Sequence, residues 1–143
     1  MASKVSNNFR VLLATKVVDF SADTFKIILM AEGFVFNSDT HDLYADVSAS
    51  EVANGFGYTT GGNTLGGVTV TQNDTDDRVY ITCNNTSWTA AAGDIGPACG
   101  AIIYDDTLIA PNADAIVGFI DFLGSYTEPD GGIATIANIK VTI

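Results

Sequence analysis

From Thr24 to the last residue the chain is a succession of short apolar runs in which large hydrophobic residues alternate with polar ones, each run closed by Gly, Asn or Asp. A period of two places successive side chains on opposite faces of an extended backbone, so one face is buried while the other stays polar. Strands this short, with no long helical segment between them, exclude a parallel α/β sheet as the economical reading. They predict a mainly β fold: a single-domain antiparallel β-sandwich of jelly-roll or Greek-key type, with one short helix and an N-terminal arm. At 143 residues the chain fits one domain, and such a domain buries roughly 70% of the surface its unfolded chain exposes.

Thr24 to Met30 reads as the first strand, with Phe25, Ile27 and Leu29 on one face. Ser48-Ala49-Ser50-Glu51 has the form of a capping box, and Asn54-Gly55 supplies a left-handed stop, which predicts about two turns of helix over residues 48–54. A glycine-rich loop follows. Val68 and Val70, the turn from Asn73 to Asp77, and Val79, Ile81 and Cys83 then form a hairpin pattern. Further strands are expected at Thr86 to Ala90, Ala101 to Tyr104, Ile116 to Phe122 and Ile133 to Ile143. The expected core comprises Phe25, Ile27, Leu29, Val68, Val70, Val79, Ile81, Trp88, Ile102, Phe119, Phe122, Ile139 and Val141. Helix content below about a fifth follows from this pattern.

Residues 1–18 are set apart from the sandwich of residues 19–143. Phe9, Leu12, Leu13, Lys16 and Val17 recur at helical spacing behind a Ser6 N-cap, while the β-branched Val11, Thr15, Val17 and Val18 favour a strand from Phe9 to Val18. The segment is also wholly basic through Lys4, Arg10 and Lys16, whereas from Ile27 onward only Arg78 and Lys140 oppose a long series of carboxylates. A chain with a net charge of −11, its acids all beyond the first 18 residues, repels nucleic acid. Its apolar stretches are shorter than the ~18 residues a membrane span needs, and the start Met-Ala-Ser-Lys lacks the pattern of a secretory signal, so synthesis in the cytoplasm is expected. A mean hydropathy of +0.25 is high for so charged a chain. This suggests apolar surface buried between subunits, as in a homo-oligomer.

The polar residues assemble no catalytic motif. His41 is the only histidine and lies in a loop between Asp39 and Asp42; no GxSxG elbow accompanies it. The acids of Asp74 to Asp77 and of Asp105-Asp106 sit in turn contexts, where bonding to the local backbone explains them. Asn73 to Asp77 lacks the glycine and bidentate glutamate of an EF-hand, and Gly61 to Gly67 lacks the lysine of a phosphate-binding loop. Cys83 and Cys99 are too far apart for a CxxC pair and read as reduced thiols. No catalytic residue, cofactor or metal site is expected, and the chain reads as a non-enzyme.

Tyr44 to Glu51, Gly57-Tyr58-Thr59-Thr60-Gly61-Gly62 with Leu65, Trp88-Thr89-Ala90 to Gly93-Asp94-Ile95-Gly96-Pro97, Ala101-Ile102-Ile103-Tyr104-Asp105-Asp106 and Gly118-Phe119-Ile120-Asp121-Phe122 together resemble a family of small virion proteins of tailed bacteriophages. The resemblance spans nearly the whole chain. Such proteins are similar to capsid cement or decoration proteins, which bind the outer face of the capsid and reinforce the major capsid protein lattice. The resemblance therefore implies a virion structural protein on the capsid exterior, made in the host cytoplasm, with the major capsid protein as partner and a dimeric or trimeric state. The alternative is a phage tail receptor- or carbohydrate-binding module using Trp88 or Tyr58 as an exposed aromatic and an acidic, calcium-bearing loop. For attachment, Lys4, Phe9, Arg10, Leu12 and Lys16 are the candidate partner-binding residues: a basic, partly apolar arm reaching to an acidic groove. The competing expectation is an ordinary first strand or helix of the domain.

Overall fold

The computed structural model describes residues 2–143, of which 44% lie in strands and 11% in helices. Along the chain these are β1 (Ala2–Val5), α1 (Asn7–Ala14), β2 (Phe25–Ala31), α2 (Tyr44–Val47), β3 (Asn63–Thr64), β4 (Thr69–Asn73), β5 (Arg78–Thr82), β6 (Thr86–Thr89), β7 (Ile95–Asp105), β8 (Ile116–Glu128), β9 (Ile133–Ile136) and β10 (Lys140–Thr142). The main sheet has the order β1-β8-β7-β2-β3; smaller sheets run β10-β5-β4 and β6-β9. Every pairing is antiparallel. Within the main sheet, β2-β7-β8-β1 is a Greek-key order, the first strand lying beside the last of the other three.

The main sheet is covered on both faces. One face carries Phe25, Ile27 and Leu29 of β2 with Ala101, Ile103 and Val117, packed against Ile81, Trp88 and Val141 of the smaller sheets. The other carries Ile28, Met30, Ile102, Ile116 and Phe119, covered by Phe36 and Val47 from the segment after β2. That second layer explains the unbroken run Ile27-Ile28-Leu29-Met30: a strand buried on both faces loses its alternation. Gly62 brings the following loop onto β2, where a Cβ would lie 1.9 Å from the Ile27 carbonyl oxygen and the backbone has a φ of +71°.

Some expectations are corrected. Residues 1–18 are not a free arm: Ala2–Val5 pairs with β8, from Ala2 opposite Asp121 to Val5 opposite Gly118, and α1 begins behind an N-terminal cap at Ser6. The helical reading of this segment holds, whereas the alternative strand from Phe9 to Val18 does not form: that stretch is α1 and the turn after it, and the strand that joins the sheet is the unforeseen Ala2–Val5. No helix spans residues 48–54. The turns of helix lie earlier, at Tyr44–Val47, followed by a 3₁₀ turn at Ser48–Ser50. Asp46 rather than Glu51 provides the returning carboxylate, accepting the Leu43 amide at 2.8 Å. The hairpin β4–β5 is present with Val70 opposite Ile81, yet Val70 is 51% exposed because β4 is an edge strand beyond the core. Val68, Val79 and Phe122 are half-buried; the other expected core residues are buried. The expected strand Ile133 to Ile143 divides into β9 and β10 at Asn138, where φ is +54°.

Candidate interaction surface

One residue of β7, Cys99, stands opposite four of β8, Phe122 to Ser125, since Ala98 pairs with Tyr126 and Gly100 with Asp121. The surplus bulges outward, which is how a bulge re-aims side chains at the edge of a ladder. Asp121 fixes its start by accepting the Leu123 amide at 2.8 Å, and Leu123 then takes a left-handed φ of +59°. The side chain that results is 73% exposed, and Tyr126 beyond it is 61% exposed. Phe122 and Tyr126 meet edge to face at 6.1 Å between ring centroids.

Beside this bulge opens a cleft of about 310 Å³ with walls from Leu29, Trp88, Ile95, Ala98, Phe122 and Ile136, and with Glu128 at its margin. Trp88 is held from behind by Tyr58, whose ring centroid lies 5.5 Å away. Its indole Nε1–H is buried and has no acceptor among the described residues. Tyr58 in turn accepts the Leu29 amide at 3.0 Å and donates to Glu51 at 2.7 Å. Glu51 also accepts from the Tyr44 hydroxyl at 2.5 Å and the Gly61 amide at 2.8 Å. Burial, reinforced by the Glu51 carboxylate, raises both phenols well above the ordinary tyrosine range, so they stay protonated donors. The result is a rigid support for the cleft, knitting α2 and the glycine loop to β2.

The residues expected from sequence to bind a partner do not come together as a docking arm. Phe9 and Leu12 are enclosed in the protein's own core, Phe9 meeting Phe20 edge to face at 5.9 Å. Lys4, Arg10 and Lys16 remain exposed, but the apolar half of the proposed contact is spent inside the fold. Trp88 and Tyr58 are likewise buried, at 4% and 2% exposure, so neither offers the open ring face a sugar-stacking module needs. His41 is packed between Phe34 and Phe36 at 5.4 and 5.6 Å, and its Nδ1 accepts the Asn37 amide at 3.1 Å. In the acidic turn, Asn73 accepts the Thr75 and Asp76 amides, while Asp76 receives the Tyr80 hydroxyl. Among the described residues, no cluster of three or more His, Cys, Asp or Glu side chains is arranged to hold a metal. Cys83 and Cys99 are unpaired thiols. Burial pushes Cys83 up to about 11, which leaves it a poor nucleophile.

The bulge and cleft went unread in the sequence because their parts come from β2, β6, β7, β8 and β9, and only the fold joins them. The local signal was Asp121 followed by Leu123-Gly124 inside a strand pattern, since glycine within a strand marks a bulge. Comparison of the chain with protein-family models, with curated proteins and with solved structures found no match.

Proposed function

We propose that this protein is a structural component of a tailed-bacteriophage particle: a cement protein that sits on the capsid exterior and braces the major capsid protein lattice. The observation that carries the reading is the rigid apolar face formed by Leu123, Tyr126 and the cleft at Trp88. Protein interfaces are anchored by aromatic and aliphatic groups seated in or beside desolvated pockets, with polar residues around them. The sequence resemblance to phage virion proteins supplies the partner. Under this reading the protein is made in the host cytoplasm and assembles as a dimer or trimer on the particle, adding contacts without chemistry.

Capsids assembled without this protein provide the test. Purified protein should bind them saturably, and Leu123→Asp should weaken that binding at least tenfold, a loss of about 1.4 kcal/mol or more. Aspartate tolerates the left-handed backbone at this position better than leucine does, so the fold should survive. Binding unchanged by Leu123→Asp would contradict the proposed face. Binding to tails in preference to heads would move the protein to a receptor-binding role.

A further inference from the structure

A second cleft, of about 800 Å³, lies where the edge strand of the main sheet meets the three-stranded sheet. Ser3 of β1, Arg78 and Tyr80 of β5, and Lys140 of β10 line it. Its sign is opposite to that of the molecule. Of the six Lys and Arg residues set against 17 acids, two are here, and the one carboxylate in the lining, Asp76, is already engaged by the Tyr80 hydroxyl. Among the described residues the one ion pair is Lys26 with Asp106, at 3.3 Å on another part of the surface. Arg78 and Lys140 therefore have no carboxylate partner within the described fold.

Lys140 is also held in place. Its Nζ lies 4.4 Å from the centroid of the Tyr80 ring, a cation–π contact that fixes a flexible side chain before any ligand arrives. The β1 and β10 edges are tied together by the Thr142 amide donating to Ser3 Oγ at 3.3 Å, so the Ser3 hydroxyl proton is available to donate. Ala137 lines the apolar cleft and Asn138, the next residue, lines this one. The two clefts, one apolar and one cationic, thus approach each other along the chain at Ala137-Asn138.

We propose that the cleft of Arg78 and Lys140 receives an aspartate- or glutamate-bearing segment of the protein partner, whose neighbouring apolar side chain enters the cleft at Trp88. An arginine fork recognises a carboxylate through two parallel N–H bonds, and a preplaced ammonium adds charge beside it. On a strongly acidic molecule a cationic cleft favours acidic partners at that place, which helps fix orientation as well as attraction. The inference rests on the capsid-cement reading for the identity of the partner, and on the cleft alone for its chemistry.

Hexaglutamate serves as the probe, titrated by calorimetry against the whole protein at about 20 mM and about 300 mM salt, a range over which screening of exposed charges becomes severe. Hexaglutamate should bind at low salt and hexaglutamine should not. Arg78→Ala and Lys140→Ala should each weaken binding at least about fivefold, Lys140→Arg should retain it, and Lys16→Ala should leave it unchanged. Trp88 fluorescence checks that each variant is folded. Absence of hexaglutamate binding, or an equal loss from Lys16→Ala, overturns the proposal, as does binding of a sulfated oligosaccharide in place of the peptide. Capsids that bind Arg78→Glu/Lys140→Glu with unchanged affinity sink this inference and leave the cement reading standing. Hexaglutamate binding combined with failure to bind capsids does the reverse.

Discussion

Asp105 is buried at the end of β7 with Oδ1 accepting the Thr107 amide at 2.9 Å and Oδ2 without a partner. Burial raises this carboxyl from 3.8 to about 7, with Asp23 beside it adding to the rise and the Thr107 and Leu108 amides opposing it. A carboxyl whose folded value is raised contributes stability that is full below the unfolded value and lost as pH rises through the folded one. This group therefore stabilises the fold at about pH 4 and costs it roughly 2–4 kcal/mol by about pH 8. Asp105→Asn keeps an oxygen for the Thr107 amide and removes the charge. Its urea midpoint should exceed that of the parent at about pH 8 and converge toward it at about pH 4; a lower midpoint at both would contradict the assignment. The sequence shows Asp105-Asp106 as a pair of turn acids. It gives no hint that one is fully enclosed while the other pairs with Lys26, because burial here depends on Asp23 and Ala115 arriving from elsewhere.

At the scale of elements, α1 ends in a Schellman motif: the Val17 amide donates to the Leu12 carbonyl and the Lys16 amide to that of Leu13. Lys16 occupies the left-handed position, with φ at +61°, where an L-residue is strained and glycine is not. Lys16→Gly should stabilise the protein by about 0.5–1 kcal/mol, read as a raised urea midpoint, and a lowered midpoint would count against the motif. Strands were the most legible elements because alternation survives wherever one face is polar, as in Arg78 to Thr82. In β2, covered on both faces, the run Phe25, Ile27 and Leu29 still marked the strand, whereas the strand expected at Ile116 to Phe122 stopped short of β8, which runs on to Glu128 beyond the residues the ladder leaves unpaired. The short helix was misplaced for a local reason: Ser48 and Glu51 have capping-box spacing, but the Glu51 carboxylate is taken by two tyrosine hydroxyls and the Gly61 amide. Tertiary bonding to a charged acceptor is worth more than a cap.

Across the whole molecule, an antiparallel β chain carrying a net charge of −11 holds an apolar cleft and a cationic one that approach each other along the chain at Ala137-Asn138. The fold class was readable from periodicity, since patterning and turn residues agree along most of the chain. The interaction surface was not. Its residues are distant in sequence, and the N-terminal side chains that looked adhesive, Phe9 and Leu12, prove to be core. The virion role is most directly tested by a cryo-electron-microscopy reconstruction of the phage particle that carries this protein. The account expects density for its β fold on the outer face of the capsid, with Leu123 and Tyr126 turned toward the major capsid protein. Density confined to the tail tip, or capsid-bound density with that face turned to solvent, would contradict it.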